Sequence, residues 1–375
     1  MILVFNAGSS SIKASLYQKN NLEAPKISLQ VDTITTQPVF KARGDNVPPP
    51  PSLGVGHDSV LSGLLPWFFE AWPIQAIGHR VVHGGIHFAD PVRITPPILD
   101  DLETLIPLAP LHQPHNLFPL RWIQQRFPQK PQVACFDTAF HRTQTPLATW
   151  FALPRHYHDE GIQRYGFHGL SYQYIAEQLP SLTKAPRVIV AHLGNGASLC
   201  GLKEGKSYDT TMGFSALDGL MMGTRSGSLD AGVILHLLHH TSPERIQEIL
   251  YKESGLLGVS GISHDMRTLL ESPHPHAAEA VNLYVYRIIR EIGALTATLG
   301  GCDALVFTAG IGENAPIIRQ RVCEGLSFSG LKLDQEANLQ NKICLHHPES
   351  PVEVYCIPTH EERVIVEATI VHGLS

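Results

Sequence analysis

The feature that most constrains this chain is a pattern that occurs twice. LVFNAGSSSIKASLY, residues 3–17, runs from an apolar stretch through Gly8 and three serines into a second apolar stretch. RVIVAHLGNGASLCGLKEG, residues 187–205, follows the same plan, with Gly194 and Gly196 in the break. Apolar runs of this length, interrupted by glycine and small polar residues, predict strand–turn–strand. Two such units predict two domains built alike, with their turns facing a common cleft. A chain of 375 residues with 43% hydrophobic composition is long enough for two buried cores.

Between the repeats, strand-like and helix-like segments alternate, which predicts an α/β architecture. Helical spacing covers residues 60–72, 117–127 and 280–299, the last with Val281, Tyr284, Ile288, Ile292, Leu295 and Leu299 on one face. Strands are expected at residues 74–82, 133–136 and 304–307, and again in VEVYC before the closing THEE. Residues 44–56, with four consecutive prolines, read as a connecting loop because proline removes donors and restricts its neighbours. The expected division is 1–150 and 151–358, with 359–375 returning to the first domain as a C-terminal strand.

A formal charge of −6 gives no basic surface for nucleic acid. Six scattered cysteines without a CxxC pair fit a reduced, cytoplasmic chain. The apolar run at residues 1–5 is too short for a membrane span or signal peptide and lacks a basic leader.

The glycine turns are where chemistry is expected. Glycine lets backbone N–H groups approach anionic oxygens closely, and Lys13 adds a mobile cation suited to phosphate. GxxxxGK[ST] is absent, so this is no Walker A loop. Three turns placed after strands, at residues 8–13, 192–196 and 310–314, favour a multiphosphate nucleotide over three unrelated hairpins. GHRVVHGG delivers Arg80 at a strand, as a surface charge or as a fork for a substrate carboxylate. CFDTAFH brings out Asp137, which can orient Mg²⁺ or an attacking oxygen, or simply bind the following turn. YGFHG presents His168, and DGLMMGTRSG sets Arg225 among small residues. Together these groups suit phosphoryl transfer between anions, where the protein must cancel repulsion and align reactants. The alternatives are weaker: GxSxG, HExxH and a strand-linked GxGxxG with its acidic partner are all missing.

With these residues in view, the sequence resembles the acetate kinase family, within the two-domain group of sugar kinases, Hsp70 and actin. The matching segments are FNAGSSSIK, GHRVVHGG, APLHQPHN, FDTAFH, YGFHG, HLGNGAS, DTTMGFSALDGLMMGTRSG, ESGLLGVSG, FTAGIGEN and IPTHEE, in order from residue 5 to residue 362. The resemblance implies a duplicated ribonuclease H-like α/β fold with a central cleft. It also implies reversible, direct in-line phosphoryl transfer from ATP to acetate, giving ADP and acetyl phosphate with Mg²⁺ (or Mn²⁺ as a substitute). Asn6 and Glu361 would hold the metal, and Asp137, His168 and Arg225 would be catalytic. Arg80, Val82, Leu111, Phe167 and Ala216 would receive the acyl substrate. Lys13, His192, Leu193, Gly194, Asn195, Gly196, Asp265, Met266, Arg267, Gly310, Ile311, Gly312, Glu313 and Asn314 would bind the nucleotide. A homodimer, with neither nucleic acid nor membrane as partner, is also implied. Ala216 stands where the family usually has proline, Tyr172 where it usually has histidine, and Ile86 where a polar residue is common; the first domain looks trimmed. A smaller residue at 216 leaves room for propionate as an alternative substrate, and a nucleotide-binding regulatory protein is the non-enzymatic alternative.

Overall fold

A computed structural model describes residues 1–8 and 10–374; Ser9, in the first glycine–serine turn, lies outside the described residues. The chain forms two compact units, Met1–Phe140 with His360–Ser375, and His141–Thr359. The chain passes between them at 140/141 and 359/360, where the sequence reading set 150/151 and 358/359. His141 belongs with the second unit because its ring is buried against Ser207 and the Phe167 carbonyl.

The first unit holds strands β1 (Ile2–Ala7), β2 (Ile12–Tyr17), β3 (Ile27–Asp32), β4 (Val39–Gly44), β5 (Ala76–Val81), β6 (Val92–Arg93) and β7 (Gln132–Phe136). Their order is β4-β3-β2-β1-β5-β7-β6. β1 pairs antiparallel with β2 and parallel with β5, and β5 pairs parallel with β7. The second unit holds β8 (Arg187–Leu193), β9 (Ala197–Lys203), β10 (Lys206–Thr210), β11 (Ala304–Thr308) and β12 (Glu353–Cys356), in the order β10-β9-β8-β11-β12. The strands β3-β2-β1-β5-β7 and β10-β9-β8-β11-β12 have the same order and the same sequence of antiparallel and parallel pairings. The short sequence repeat is therefore a duplicated five-stranded core, the arrangement of the actin-like phosphotransferases.

Helices cover the sheets by ordinary amphipathic burial. The helix His57–Ala71 buries Val60, Leu61, Leu64, Leu65 and Phe68 in the same cluster as Leu3, Phe5 and Leu29 of the first sheet. In the second unit the helix Pro275–Leu299 buries all six residues on its expected face, and Leu299 lies so close to Gly201 of β9 that a Cβ there would meet it at 3.0 Å.

The last segment departs from expectation: residues 361–373 form a helix, not a strand. ERVIVEATIV is rich in β-branched residues, which favour strands. Its buried positions, Val364, Ile365, Val366, Thr369 and Gly373, nevertheless follow a helical face. Glu361 and Glu362 complement the helix N-terminus, and the His360 side chain accepts from the Arg363 N–H there. This helix packs so closely on β5 that a Cβ on Gly78 would meet Thr369 Oγ1 at 2.2 Å. Among the described residues, no helix is long and apolar enough to cross a membrane.

Candidate active site

In the first unit the functional side chains stand at the carboxyl ends of parallel strands, where open α/β sheets gather ligands. Arg80 is on β5 and Asp137 follows β7; the Asp137 N–H donates to the Val81 carbonyl at 3.1 Å, continuing the ladder. The guanidinium of Arg80 meets Asp137 as a fork, Nε to Oδ1 at 3.1 Å and Nη2 to Oδ2 at 2.6 Å. Glu361, opening the last helix, brings Oε2 to 3.8 Å from Arg80 Nε. Burial works against the charge on Arg80, but the attraction of Asp137 and Glu361 and the Asp137 hydrogen bonds outweigh it and hold the guanidinium above its ordinary range. Asp137 is 1% exposed and Arg80 26%, so the carboxylate is anchored while the cation retains an open side.

The turn after β5 is tied in place by two amides. The Val82 N–H donates to Asn116 Oδ1 at 2.9 Å, and Asn116 Nδ2 donates to the Ala7 carbonyl at the end of β1. Gln113 both accepts from the His83 N–H and donates to the His83 carbonyl. Gln113 and Asn116, buried in the helix Gln113–Arg126, were missed as site-building residues, although both lie in the quoted segment APLHQPHN. Of the remaining expected residues here, Val82 is buried, Asn6 and Leu111 half-buried, and Lys13 exposed on β2.

The second unit assembles a different group. His168 has φ +60, in the left-handed region, and opens the helix Gly169–Gln178. Its loop requires Gly166, at φ +77, because a Cβ there would lie 2.6 Å from the His141 ring. His141 also bonds the Phe167 carbonyl through Nε2 at 3.0 Å. The His168 and His192 rings stack, with centroids 4.2 Å apart and 20° between planes. Each is held at Nδ1 by a serine at 2.8 Å, His168 by Ser198 and His192 by Ser171, and Ser171 in turn bonds Thr359. Arg225 donates from Nη1 to the Ala216 carbonyl at 2.9 Å, joining two expected residues nine apart in sequence. A Cβ on Gly196 would stand 3.2 Å from His168 Nε2 and 3.8 Å from Arg225 Nη1. Glycine there keeps open a space that an imidazole and a guanidinium both face.

Beside this group lies a cavity of about 480 Å³. Gly194 and Asn195 from the β8–β9 turn line one side; Asp265, Met266 and Arg267 line another, and Gly310, Ile311 and Asn314 a third. His264 and Ala315 also line it and were not anticipated, although each adjoins an expected segment. Leu193 and Gly312 are buried away from it. Glu313 turns inward: its Oε1 accepts from the Ala309 N–H at 2.8 Å and the Thr359 N–H at 3.0 Å. The third expected glycine turn is in fact a short helix, Ala309–Asn314.

A profile of the acetokinase family matches residues 1–367. The chain belongs to the acetokinase family. Relatives of this chain include an acetate kinase from Rhodopseudomonas palustris, 48% identical over 97% of this chain and 96% of that one. Among solved structures, an acetate kinase from Entamoeba histolytica superposes with a TM-score of 0.90 at 32% identity, covering all of both chains. A propionate kinase from Francisella tularensis gives 0.89 at 34% identity over 98% of each chain.

Proposed function

We propose that this member of the acetokinase family transfers the γ-phosphoryl group of ATP to acetate, reversibly, giving acetyl phosphate and ADP. The observation that carries this reading is the group formed by Arg80 and Asp137 at strand ends with Glu361 at a helix start, in a family member. The residues assigned to the acyl substrate are Arg80, Val82 and Leu111 of the first unit and Phe167 and Ala216 of the second. The cavity beside Asn195 takes the nucleotide, and Lys13 and His192 are further nucleotide-binding residues.

Acetate is already an anion at neutral pH, so its carboxylate oxygen needs no base; its obstacle is approach to another anion. In direct in-line transfer that oxygen forms the new bond to phosphorus as the bond to the ADP oxygen breaks. Charge on the moving phosphoryl group is met by Arg225 and by a His168 N–H, donors fixed before the reaction and therefore effective in a water-poor site. Asp137 orients Arg80 and substrate rather than removing a proton.

Mg²⁺ suits the oxygen donors of the first unit. No group of three or more His, Cys, Asp or Glu side chains among the described residues forms a cage. Mg²⁺ commonly uses one or two carboxylates and completes its shell with water and phosphate. Asn6 and Glu361 would hold it, with Mn²⁺ as a substitute, and the ion would neutralise phosphate charge. The proposal includes a cytoplasmic homodimer: all six cysteines are free, and Val233, Leu235 and Leu238 of the helix Ala231–Leu238 are exposed apolar residues that suit a protein partner.

The deciding experiment supplies ATP and Mg²⁺ with formate, acetate, propionate or butyrate and traps acyl phosphate as hydroxamate. Acetate is expected to give the highest kcat/KM. Product from none of the four would sink the reading, and nucleotide binding without product would leave a regulatory protein. A propionate preference has one observation in its favour, the small Ala216 beside Arg225; one methylene is worth about 1–3 kcal/mol.

A further inference from the structure

Tyr172 lies in the core of the second unit, wholly buried, and its hydroxyl points at Ser198 Oγ from 2.5 Å. Ser198 Oγ in turn is 2.8 Å from His168 Nδ1. Protons can be counted along this row. A phenol has one proton, and burial pushes its acidity well away from ionisation, so it is present. The only hydrogen-bond partner of the Tyr172 hydroxyl among the described residues is Ser198, so the phenol donates to Ser198. The serine hydroxyl accepts that proton and has one of its own, for which His168 Nδ1 is the remaining partner. Nδ1 is then an acceptor, and the ring proton resides on Nε2, the nitrogen that faces the space above Gly196 beside Arg225. The reverse order would leave the phenol proton buried without an acceptor, a state disfavoured by about tenfold or more.

We propose that Tyr172 is a positioning residue for phosphoryl transfer: through Ser198 it fixes His168 as the Nε2–H tautomer, a ready donor to the transferring group. The inference rests on the function proposed above for His168, but the tautomer itself does not depend on that function. A tautomer fixed in advance removes a reorganisation step as charge develops on the phosphoryl oxygens.

The test uses the full chain labelled with [¹⁵N]histidine, in wild type, Tyr172→Phe and Ser198→Ala, with the His168 signal assigned by its loss in His168→Asn. Wild type should show an unprotonated Nδ1 and a protonated Nε2. Tyr172→Phe deletes only the hydroxyl and frees Ser198 to accept, so the Nδ1–H form should appear; Ser198→Ala, which removes the donor to Nδ1, should shift the Nδ1 resonance and serves if the first variant folds poorly. In kinetics, Tyr172→Phe should lower kcat by about 5- to 10-fold with both KM values little changed, and should cost nothing further in the His168→Asn background. A wild-type Nδ1–H ring, the wild-type tautomer retained in a folded Tyr172→Phe, or an Nδ1 resonance unmoved by Ser198→Ala overturns the proposal. So does an equal loss of kcat with and without His168. If no acyl phosphate forms at all, the proposed function fails while the tautomer measurement still reads out the relay.

Discussion

At the scale of single residues, the two arginines that read alike in sequence are held differently. Arg80 shares its fork with Asp137 and leans on Glu361, whereas Arg225 has a backbone carbonyl, Ala216, as a neutral anchor and faces the open space at Gly196. A cation committed to a buried carboxylate is a fixed receptor for a ground-state anion. A cation beside an open space can bind charge that appears during transfer. Arg225→Ala should therefore lower kcat by about 10²–10³ with little change in acetate KM. Arg80→Ala should chiefly raise acetate KM, by about tenfold or more, because a charge-assisted bond contributes about 1.5–3 kcal/mol. The same change removes both Arg80 hydrogen bonds to the buried Asp137 carboxylate, so it should also lower the melting temperature. Steady-state kinetics and thermal melts separate these; normal turnover in Arg225→Ala together with a normal acetate KM in Arg80→Ala would refute both assignments.

At the scale of elements, the cavity depends on a short helix that cannot stand alone. Ala309–Asn314 is only six residues and begins with Ala309 at φ +65, a conformation costly for a residue with a Cβ. Glu313 braces its start, and Arg319 its end: the guanidinium, fully buried, donates to the Gly312 and Glu313 carbonyls and to Asn338 and Asn341. Burial lowers the basicity of Arg319, and the helix carbonyls and amides it binds are all neutral. Arg319→Ala would strand several buried acceptors at about 1–3 kcal/mol each. It should lower stability by more than about 3 kcal/mol in urea melts and raise the KM for ATP in whatever protein remains folded. A Tm within 2–4 °C of wild type, about what 1 kcal/mol shifts a domain of 150–250 residues, would rule this out. Arg319 was illegible in the sequence because it lies outside any glycine turn and its amide partners, Asn338 and Asn341, are 19 and 22 residues away. Gln113 and Asn116 escaped notice for a related reason: an amide reads as polar surface until the fold shows which backbone groups it satisfies. The final helix was misread because β-branched residues outvoted the spacing of its buried face. What could be read were the residues whose type alone limits the backbone, Gly166 and Gly196 above all, and the ions beside them.

At the scale of the whole molecule, the duplicated core was legible because strand–turn–strand is a local pattern, and two copies of it survive the different insertions each unit carries. The charge state of the interior was not, since 21 histidines look alike in a sequence. Burial separates three of them. The ring nitrogens of His79 reach no hydrogen-bond partner among the described residues; burial brings its pKa down from 6.5 to about 3, with nearby Gln132 offsetting only part. Burial likewise takes His83 to about 4, and His141 to about 4 despite its bond to the Phe167 carbonyl. Each is neutral in the folded protein and free to take a proton, near pH 6.5, once unfolded. The unfolded chain therefore binds more protons across this range, and stability rises with pH. The contribution is complete above pH 6.5 and is lost as pH falls toward 4 and then 3. The slope is about 1.4 kcal/mol per pH unit for each histidine, and each should withdraw about 2 kcal/mol between pH 8 and pH 5. His79 and His83 lie in the first unit and His141 in the second, so the first should weaken about twice as steeply, by about 4 kcal/mol at pH 5. That is a large share of an ordinary domain's 5–15 kcal/mol. Urea titrations at pH 5, 6, 7 and 8, followed by limited proteolysis to see which unit opens, should find the first more easily cut at pH 5. His79→Leu, which leaves no ring to protonate, should flatten the pH dependence by about one histidine's worth. A stability that is level from pH 8 to pH 5, or one unchanged in slope by His79→Leu, would mean that these rings take up protons inside the folded protein.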